Sequence, residues 1–570
     1  MVLFFIATTL TAQNVNLNNL GGGIKEGFKK NNILKLSGGL NINSVYSIGS
    51  DAAGRDPFNW VVGANINIQL FKQINLPFAF SFTNIGAGYN FPTPPNRLSL
   101  HPTYKWVTAH IGDVNISFSP YTLNGHLFRG LGLDLNPPGR VKLSVMYGRL
   151  QKAVEFDSTN PSFNTATYER WGYGAKLDYE REKYALGVTV FNAKDKLNSL
   201  QFSPDSLQIF PKQNLATSYT VVMRPARGLQ FSGEMATSIF TTNTKAEAIE
   251  KSSFDNIRRL YFPVKSATSF NKALKMQFTY NIKKTVMGLS YERIDPGYQT
   301  LGTYFFANDL ENATFNFSQI LMNNKLTVSG NIGSQKDDIN GTKSASNSRF
   351  IGSFNLNYMP SMKFVSSFSY SNFKTFMYVK PQFQSLTTII NTPNLDTLNF
   401  KQISESMNLN MNFGLKNNNS NNQNLNMNLS YQNANNIQGG VVQELAGAKI
   451  YNATAAYSLL LVPQKLNFNI IYSYNLNTIG GLNSTVSGPT LAVGTKLLNQ
   501  KMSLNFSTSI NKITSSAGGV GYNILNNRVN ATYNFGKSSM QFNLMHQDRK
   551  GTDQSAVYNM VGSIGFNTSF

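Results

Sequence analysis

Residues 556–570 close the chain with AVYNMVGSIGFNTSF. Counting back from Phe570, every second position holds Thr568, Phe566, Ile564, Gly562, Met560 and Tyr558. The residues between them are small or polar: Ser569, Asn567, Gly565 and Ser563. Successive side chains of a strand point to opposite faces, so this period of two builds a strand with one apolar and one wet face. The pattern runs to the final aromatic residue. Chain ends with nothing to hold them fray, so a strand that stops there needs a neighbour to close onto. Two architectures supply one. In a membrane barrel the last strand pairs with the first, apolar face toward lipid. In a soluble sandwich it is a buried edge strand.

The same alternation continues back to Leu34. Representative segments are NWVVGANINIQL (59–70), ERWGYGAKLDYE (169–180), RFIGSFNLNY (349–358), MNLNMNFGL (407–415), KLNFNIIYSYNLN (465–477) and RVNATYNF (528–535). Large apolar residues hold one parity and Asn, Ser, Thr, Gly or Gln the other, giving about 26 segments by period-two counting. The connectors between them alternate in length. Short turns such as EREK (180–183), NIKKT (281–285), MNNK (322–325), VPQK (462–465) and FGKSS (535–539) separate longer loops. The long loops fall near 155–168, 195–215, 241–272, 294–311, 336–347, 374–403, 433–447, 477–487 and 546–555. Short turns at one end and long loops at the other are what a transmembrane barrel needs, and a soluble β-repeat has no reason for them. The Asn-rich stretch 417–424 reads as a turn between an ascending and a descending strand.

An alternating last strand ending in Phe, together with this loop asymmetry, resembles the outer-membrane β-barrel class of Gram-negative bacteria. The resemblance implies one all-β domain: a large antiparallel transmembrane barrel of about 26 strands. It implies that the barrel assembly machinery reads Phe566 and Phe570. It also implies a periplasmic C-terminus, extracellular long loops, and outer-membrane lipid as the first partner. Within this frame residues 1–12, MVLFFIATTLTA, read as the remnant of a signal peptide. Residues 13–32 read as a short periplasmic or lumen-inserted segment, and 33–570 as the barrel.

Composition agrees. Charged residues are 14% of the chain and aromatics 12%, where soluble domains carry roughly 25% charge. Mean hydropathy is −0.24, and no apolar run of about 18 residues follows the N-terminus, which excludes a helical membrane protein. There is no cysteine, so disulfides, thiolate metal sites and a Cys nucleophile are excluded. The net charge is +22. The basic residues look scattered along turns and loops rather than gathered in an aromatic-interleaved patch, so nucleic acid is not expected. Anionic lipid headgroups, anionic cargo, or no ligand at all remain as readings.

In a barrel the polar parity faces the lumen. The candidate lining residues are Asn65, Asn67, Gln69, Lys176, Asp178, Glu234, Lys275, Asn355, Asn357, Asn408, Asn410, Asn412, Asn426, Asn428, Asn467, Asn469, Asn530 and Asn534. Most are neutral amides, each with a donor and an acceptor. A bore of this size breaches the membrane unless loops or a partner fill it. Loops 241–272 and 374–403, rich in basic and aromatic residues, are the candidates for folding inward. Residues 103–154 are unusually dense in Trp106, His110, Tyr121, His126, Arg129, Arg140, Tyr147 and Arg149. That block reads as a specific rim, a docking wall, or tightly turned strands.

No catalytic constellation is visible. The four histidines His101, His110, His126 and His546 have no metal-ligand spacing, and there is no GxSxG elbow. No catalytic, cofactor or metal site is expected. The expected role is transport or translocation of hydrophilic cargo through a neutral, Asn-lined lumen. The alternative is a non-catalytic structural or docking subunit of a secretion or lipid-export complex, with the lumen plugged by loops or by a protein of the envelope complex.

Overall fold

A computed structural model of the chain describes residues 34–49, 57–85, 96–156, 166–201, 208–249, 264–304, 307–341, 348–372, 375–378, 400–438, 441–479, 481–516, 521–551 and 557–570. The expectations for residues 1–32 lie outside them, as does most of loop 374–403 and the middle of loop 241–272.

The described residues form one antiparallel sheet of 28 hydrogen-bonded segments. Arg97–Leu100 and Thr103–Tyr104 lie between the same two neighbours, Ile74–Thr83 and Val107–Asn115, and are halves of one strand. Phe364–Ser371 and Thr375–Tyr378 share Phe400–Asn417 in the same way. The result is a closed barrel of 26 strands. Closure is made by the stretch that ends the chain. Leu34–Gly49 pairs with Val557–Ser569 from Gly39↔Ser569 to Gly49↔Asn559. Gly38 and Phe570 add two backbone hydrogen bonds of 3.0 and 3.1 Å.

Cross-strand partners share a face, so one face can be followed round the whole barrel. It carries an exposed apolar row that includes Ile42, Ile564, Leu131 (58% exposed), Tyr173, Leu289 (59%) and Phe350. A continuous exposed apolar belt of this kind is stable only against hydrocarbon. No helix among the described residues is long and apolar enough to cross a membrane; the chain crosses with strands. Strand length varies round the wall. Val107–Asn115 and Leu127–Leu135 have 9 residues, the minimum for a crossing. Asn421–Gln438 and Val441–Leu461 have 18 and 21, and rise beyond it.

The connections differ at the two ends. At one end twelve turns of two to five residues join the strands. Asn418–Ser420 is one of them, so the Asn-rich stretch lies between a descending and an ascending strand, the reverse of the order read from sequence. Asn418 Oδ1 accepts from the backbone N–H of Ser420 and Asn421, at 3.1 and 2.7 Å, and closes this turn. At the other end lie the long loops, with two corrections. Loops expected at 433–447 and 477–487 are mostly strand: Gln438 pairs with Val441, and Ile479 with Leu482. Cross-strand pairing extends these hairpins although Asn and Gly are poor strand formers, which is why composition alone read as loop.

At least twelve of the 50 basic residues gather at the short-turn end. Going round the barrel, the twelve short turns carry Lys72, Lys105, Arg140, Arg181, Arg227 and Lys283, then Lys325, Lys363, Lys416, Lys465, Lys501 and Lys537, all exposed, with Lys416 just before its turn. Glu182 is the one acid within these turns. They are far apart in sequence, and only the hairpin repeat brings them to a common end.

Candidate functional site

On the face opposite the apolar belt, the strands Leu127–Leu135, Val141–Gln151 and Arg170–Glu180 put glycine at Gly130, Gly132, Gly148, Gly172 and Gly174. Glycine weakens a strand unless something must approach its backbone closely. Here something does. The connection 116–126, between Val107–Asn115 and Leu127–Leu135, lies back against this face. A Cβ on Gly132 would sit 2.3 Å from Ile116 Cδ1, and one on Gly174 would sit 2.7 Å from Phe118 Cε2. Ile116, Phe118 and Leu123 pack with Phe128, Met146, Leu150, Phe191, Phe240 and Leu301 into a buried cluster.

Leu301 belongs to a second loop, 295–309, which lies beside the first. Leu123 and Gly302 form a parallel bridge. Asn124 N–H donates to Gly302 O at 3.0 Å. Tyr298 Oη donates to Tyr121 O at 2.8 Å, and Thr300 Oγ1 to Thr122 O at 2.7 Å. The wall holds the second loop through Asn214 and Ser238. Leu301 N–H donates to Asn214 Oδ1 at 3.2 Å, and Ser238 Oγ donates to Gln299 O at 2.6 Å. Tyr298 and Leu123 are fully buried.

Charge is managed within the same cluster. Glu234, Lys275 and Glu292 are consecutive in one cross-strand row. Ser119 Oγ donates to Glu234, and Tyr121 Oη donates to Glu292 Oε1 at 2.5 Å. Burial, then the Glu292 carboxylate, holds the Tyr121 phenol well above its usual range. Burial and Glu234 do the same to Tyr298. Both stay protonated donors, as the bonds require. Nearby, Arg170 pairs with the buried Asp195, Nε to Oδ1 at 2.7 Å, and His110 bridges His101 and Asp134, at 2.8 and 2.9 Å. No group of three or more His, Asp or Glu side chains placed to hold a metal ion occurs among the described residues.

His126 ends the first loop. It is 5% exposed, stacks on Tyr304 with ring centres 4.3 Å apart, and Nδ1 lies 2.8 Å from Leu127 O. Burial pushes its pKa down from 6.5 to about 4, against the bond to Leu127 O, while the Arg170 charge lowers it further. The undocked loop therefore takes up a proton at higher pH than the docked one. Docking strength is full above about pH 6.5, falls as pH drops toward 4, and levels off below, a loss of roughly 3 kcal/mol. Protease cleavage within 116–126 should rise across that window. His126→Phe, which keeps the stacking without the titration, should flatten the rise; a profile identical in the variant would show that His126 is not the sensor.

The residues singled out by sequence parity fall on one face, the face opposite the apolar belt. Asn410 pairs with Asn428, and Asn412 with Asn426. Asn408 is opposite Ser369 and Ser430, Asn355 opposite Ser329 and Ser369, and Asn357 opposite Thr327 and Ser367. Asn469 accepts from Ser458 Oγ at 2.7 Å, and Asn467 is two residues before it on the same face. Asn530 pairs with Asn505 and Asn543, and Asn534 with Ser539. Asn65, Asn67 and Gln69 pair with Gly39, Ser37 and Lys35. Lys176 and Asp178 form an ion pair at 3.2 Å. The amides share a face but not the loop cluster. Of the predicted residues, Glu234 bonds to a docked loop, and Lys275 is its cross-strand partner.

Among the described residues, loops 116–126 and 295–309 lie on the polar face; the middle of loop 241–272 and most of loop 374–403, expected to fold inward, lie outside the described residues. The usable signal was the run of glycines on the polar parity of 130–174, where a wet wall should have carried amides. The block 103–154 proves to be the end of one strand and three full strands, with the docked loop between two of them. Its Arg129 pairs with Asp113, Nε to Oδ1 at 2.7 Å. Tyr147 lies on the apolar face beside Trp171, ring centres 5.3 Å apart.

No family model and no curated protein matches the chain. Several solved structures do, at low identity. The FrpB iron transporter from Neisseria meningitidis (F5-1 variant) is 11% identical, with 96% of this chain and 84% of that one covered and a TM-score of 0.37. The translocation pore of the P pilus usher PapC is 9% identical, covering 94% and 99%, with a TM-score of 0.36. A triple mutant of Rhodopseudomonas blastica porin is 12% identical, covering 57% and 99%, with a TM-score of 0.26.

Proposed function

We propose that the protein is an outer-membrane channel that moves hydrophilic cargo, without catalysis, through a bore lined by its polar face. In this reading the short turns and the C-terminus are periplasmic and the long loops extracellular. The amide-bearing strands form the open side of the bore, and the docked loops narrow the other side. The observation that carries the reading is the continuous band of Asn, Ser and Thr opposite the apolar belt, running from Asn355 through Asn410 and Asn428 to Asn530. Such a wall offers donors and acceptors to a polar cargo without committing to its charge.

The docked loops favour a second reading, a closed docking subunit whose lumen is filled. Single-channel recording of the full chain in a planar bilayer separates the two. The channel reading expects a large, stable conductance with weak ion selectivity. A folded barrel with no conductance sinks it and leaves the docking subunit.

A further inference from the structure

The twelve short turns make one basic rim. We propose that this rim binds the anionic phospholipid headgroups of the leaflet it meets. The inference rests on the membrane-spanning barrel and not on the channel reading.

The cations go all the way round. Eleven of the twelve short turns hold one and Lys416 stands just before the twelfth, so the matching ligand is one that surrounds the barrel, as a leaflet does; a folded protein would cover one sector. The turns are also amphiphilic. Met362 is fully exposed beside Lys363, Met322 is 61% exposed near Lys325, and Leu498 is 62% exposed near Lys501. An apolar tip beside an ammonium suits the boundary between acyl chain and phosphate, where the stem is buried and the charge stays wet. Cations also meet tyrosines of the apolar face. Lys105 Nζ lies 5.2 Å from the Tyr104 ring centre, and the Arg181 guanidinium 5.9 Å from both Tyr179 and Tyr184. Tyrosine at the end of a lipid-facing strand marks headgroup depth.

Backbone geometry does not explain the lysines. Lys72, Lys105, Lys283 and Lys465 have φ between 50° and 60°, a region that favours Gly and Asn. Phe71, Met322, Leu498 and Gln500 also take positive φ in these turns, so what the lysines add is their charge and not a backbone preference. A row of basic side chains at an anionic surface adds attraction residue by residue, and salt screens it.

The test uses the full chain in phosphatidylcholine vesicles carrying a trace of spin-labelled phosphatidylglycerol or spin-labelled phosphatidylcholine. Electron spin resonance gives the relative association of each label with the protein. The expected result is a preference of about two- to fivefold for phosphatidylglycerol at low salt, shrinking toward one at about 0.5 M salt. Substituting Lys72, Lys105, Lys283, Lys325, Lys465 and Lys501 by Gln removes half of the twelve and should cut the preference by about half. Lys152→Gln with Lys196→Gln, at the long-loop end, should leave it intact. Equal association of the two labels with the unaltered chain overturns the proposal, as does a preference undiminished by the six substitutions or by high salt. If the six-residue variant does not fold, the salt series on the unaltered chain still decides. Binding of soluble polyaspartate to the rim with no lipid preference would instead assign the surface to an acidic protein. A barrel without conductance that keeps the lipid preference would sink the channel reading and leave this one standing.

Discussion

Gly302→Val should release the two docked loops from each other while leaving the barrel closed. A Cβ at this position falls 2.3 Å from Thr122 O and 2.9 Å from Leu123 Cα, both backbone, and 2.9 Å from the Phe191 ring. Backbone cannot swing aside as a side-chain tip can, so the bridge between Leu123 and Gly302 must open. The hydrogen bonds from Asn124, Tyr298 and Thr300 lie within a few residues of that clash and are lost with it. Overpacking costs about 1–3 kcal/mol, and losing buried bonds about 1 kcal/mol each. The sum is enough to shift the loops from almost always docked to largely undocked. The measurable consequences are rapid proteolysis within 116–126 and a higher single-channel conductance. Gly562→Ala is the control, because nothing lies within 4 Å of its added Cβ. Unchanged proteolysis in Gly302→Val would mean the loops are held independently of their bridge.

The second large effect belongs to the apolar belt. Leu131 stands mid-strand in Leu127–Leu135 and is 58% exposed. An arginine at that depth faces hydrocarbon and should destabilise the barrel by about 2–4 kcal/mol. Asn530→Arg, on the opposite face beside Asn505 and Asn543, should change stability by no more than about 0.5 kcal/mol, since a wet wall solvates the charge. Urea unfolding in lipid vesicles measures both. Equal losses would contradict the assignment of the two faces. The pair is informative because both sites are mid-strand and lie on opposite faces of the wall.

The alternation of Phe566, Ile564 and Met560 with Asn567, Gly565 and Ser563 set the faces of the closing strand before any partner was known. Strand parity is local chemistry. A residue's face follows from its place in a two-residue period, and cross-strand pairing only carries that choice to the neighbour. The same holds for Asn408, Asn410 and Asn412, whose shared face needed no tertiary information. Turns such as Val462–Lys465 were legible because short polar connectors between alternating runs leave the chain one way to go. The long hairpin 421–461 was not, because Asn-rich strand and Asn-rich loop have the same composition. Their difference lies in whether a neighbour offers a ladder.

What the chain determined by itself is therefore the barrel: its two faces, its strand number and its closure. These are repeated short-range decisions, each enforced by the cost of putting an apolar side chain in water or a polar one in lipid. Only the tertiary structure decided which loops lie on the polar face. Ile116 meets Gly132 and Phe118 meets Gly174, and Leu123 meets Gly302 from 179 positions away in sequence. Those contacts depend on where closure brings distant strands, not on any local period. Lys283 and Lys537 already fell in short turns read from sequence; the strand ends add Lys72 and Lys105 to the same rim, in turns that the alternation did not mark out.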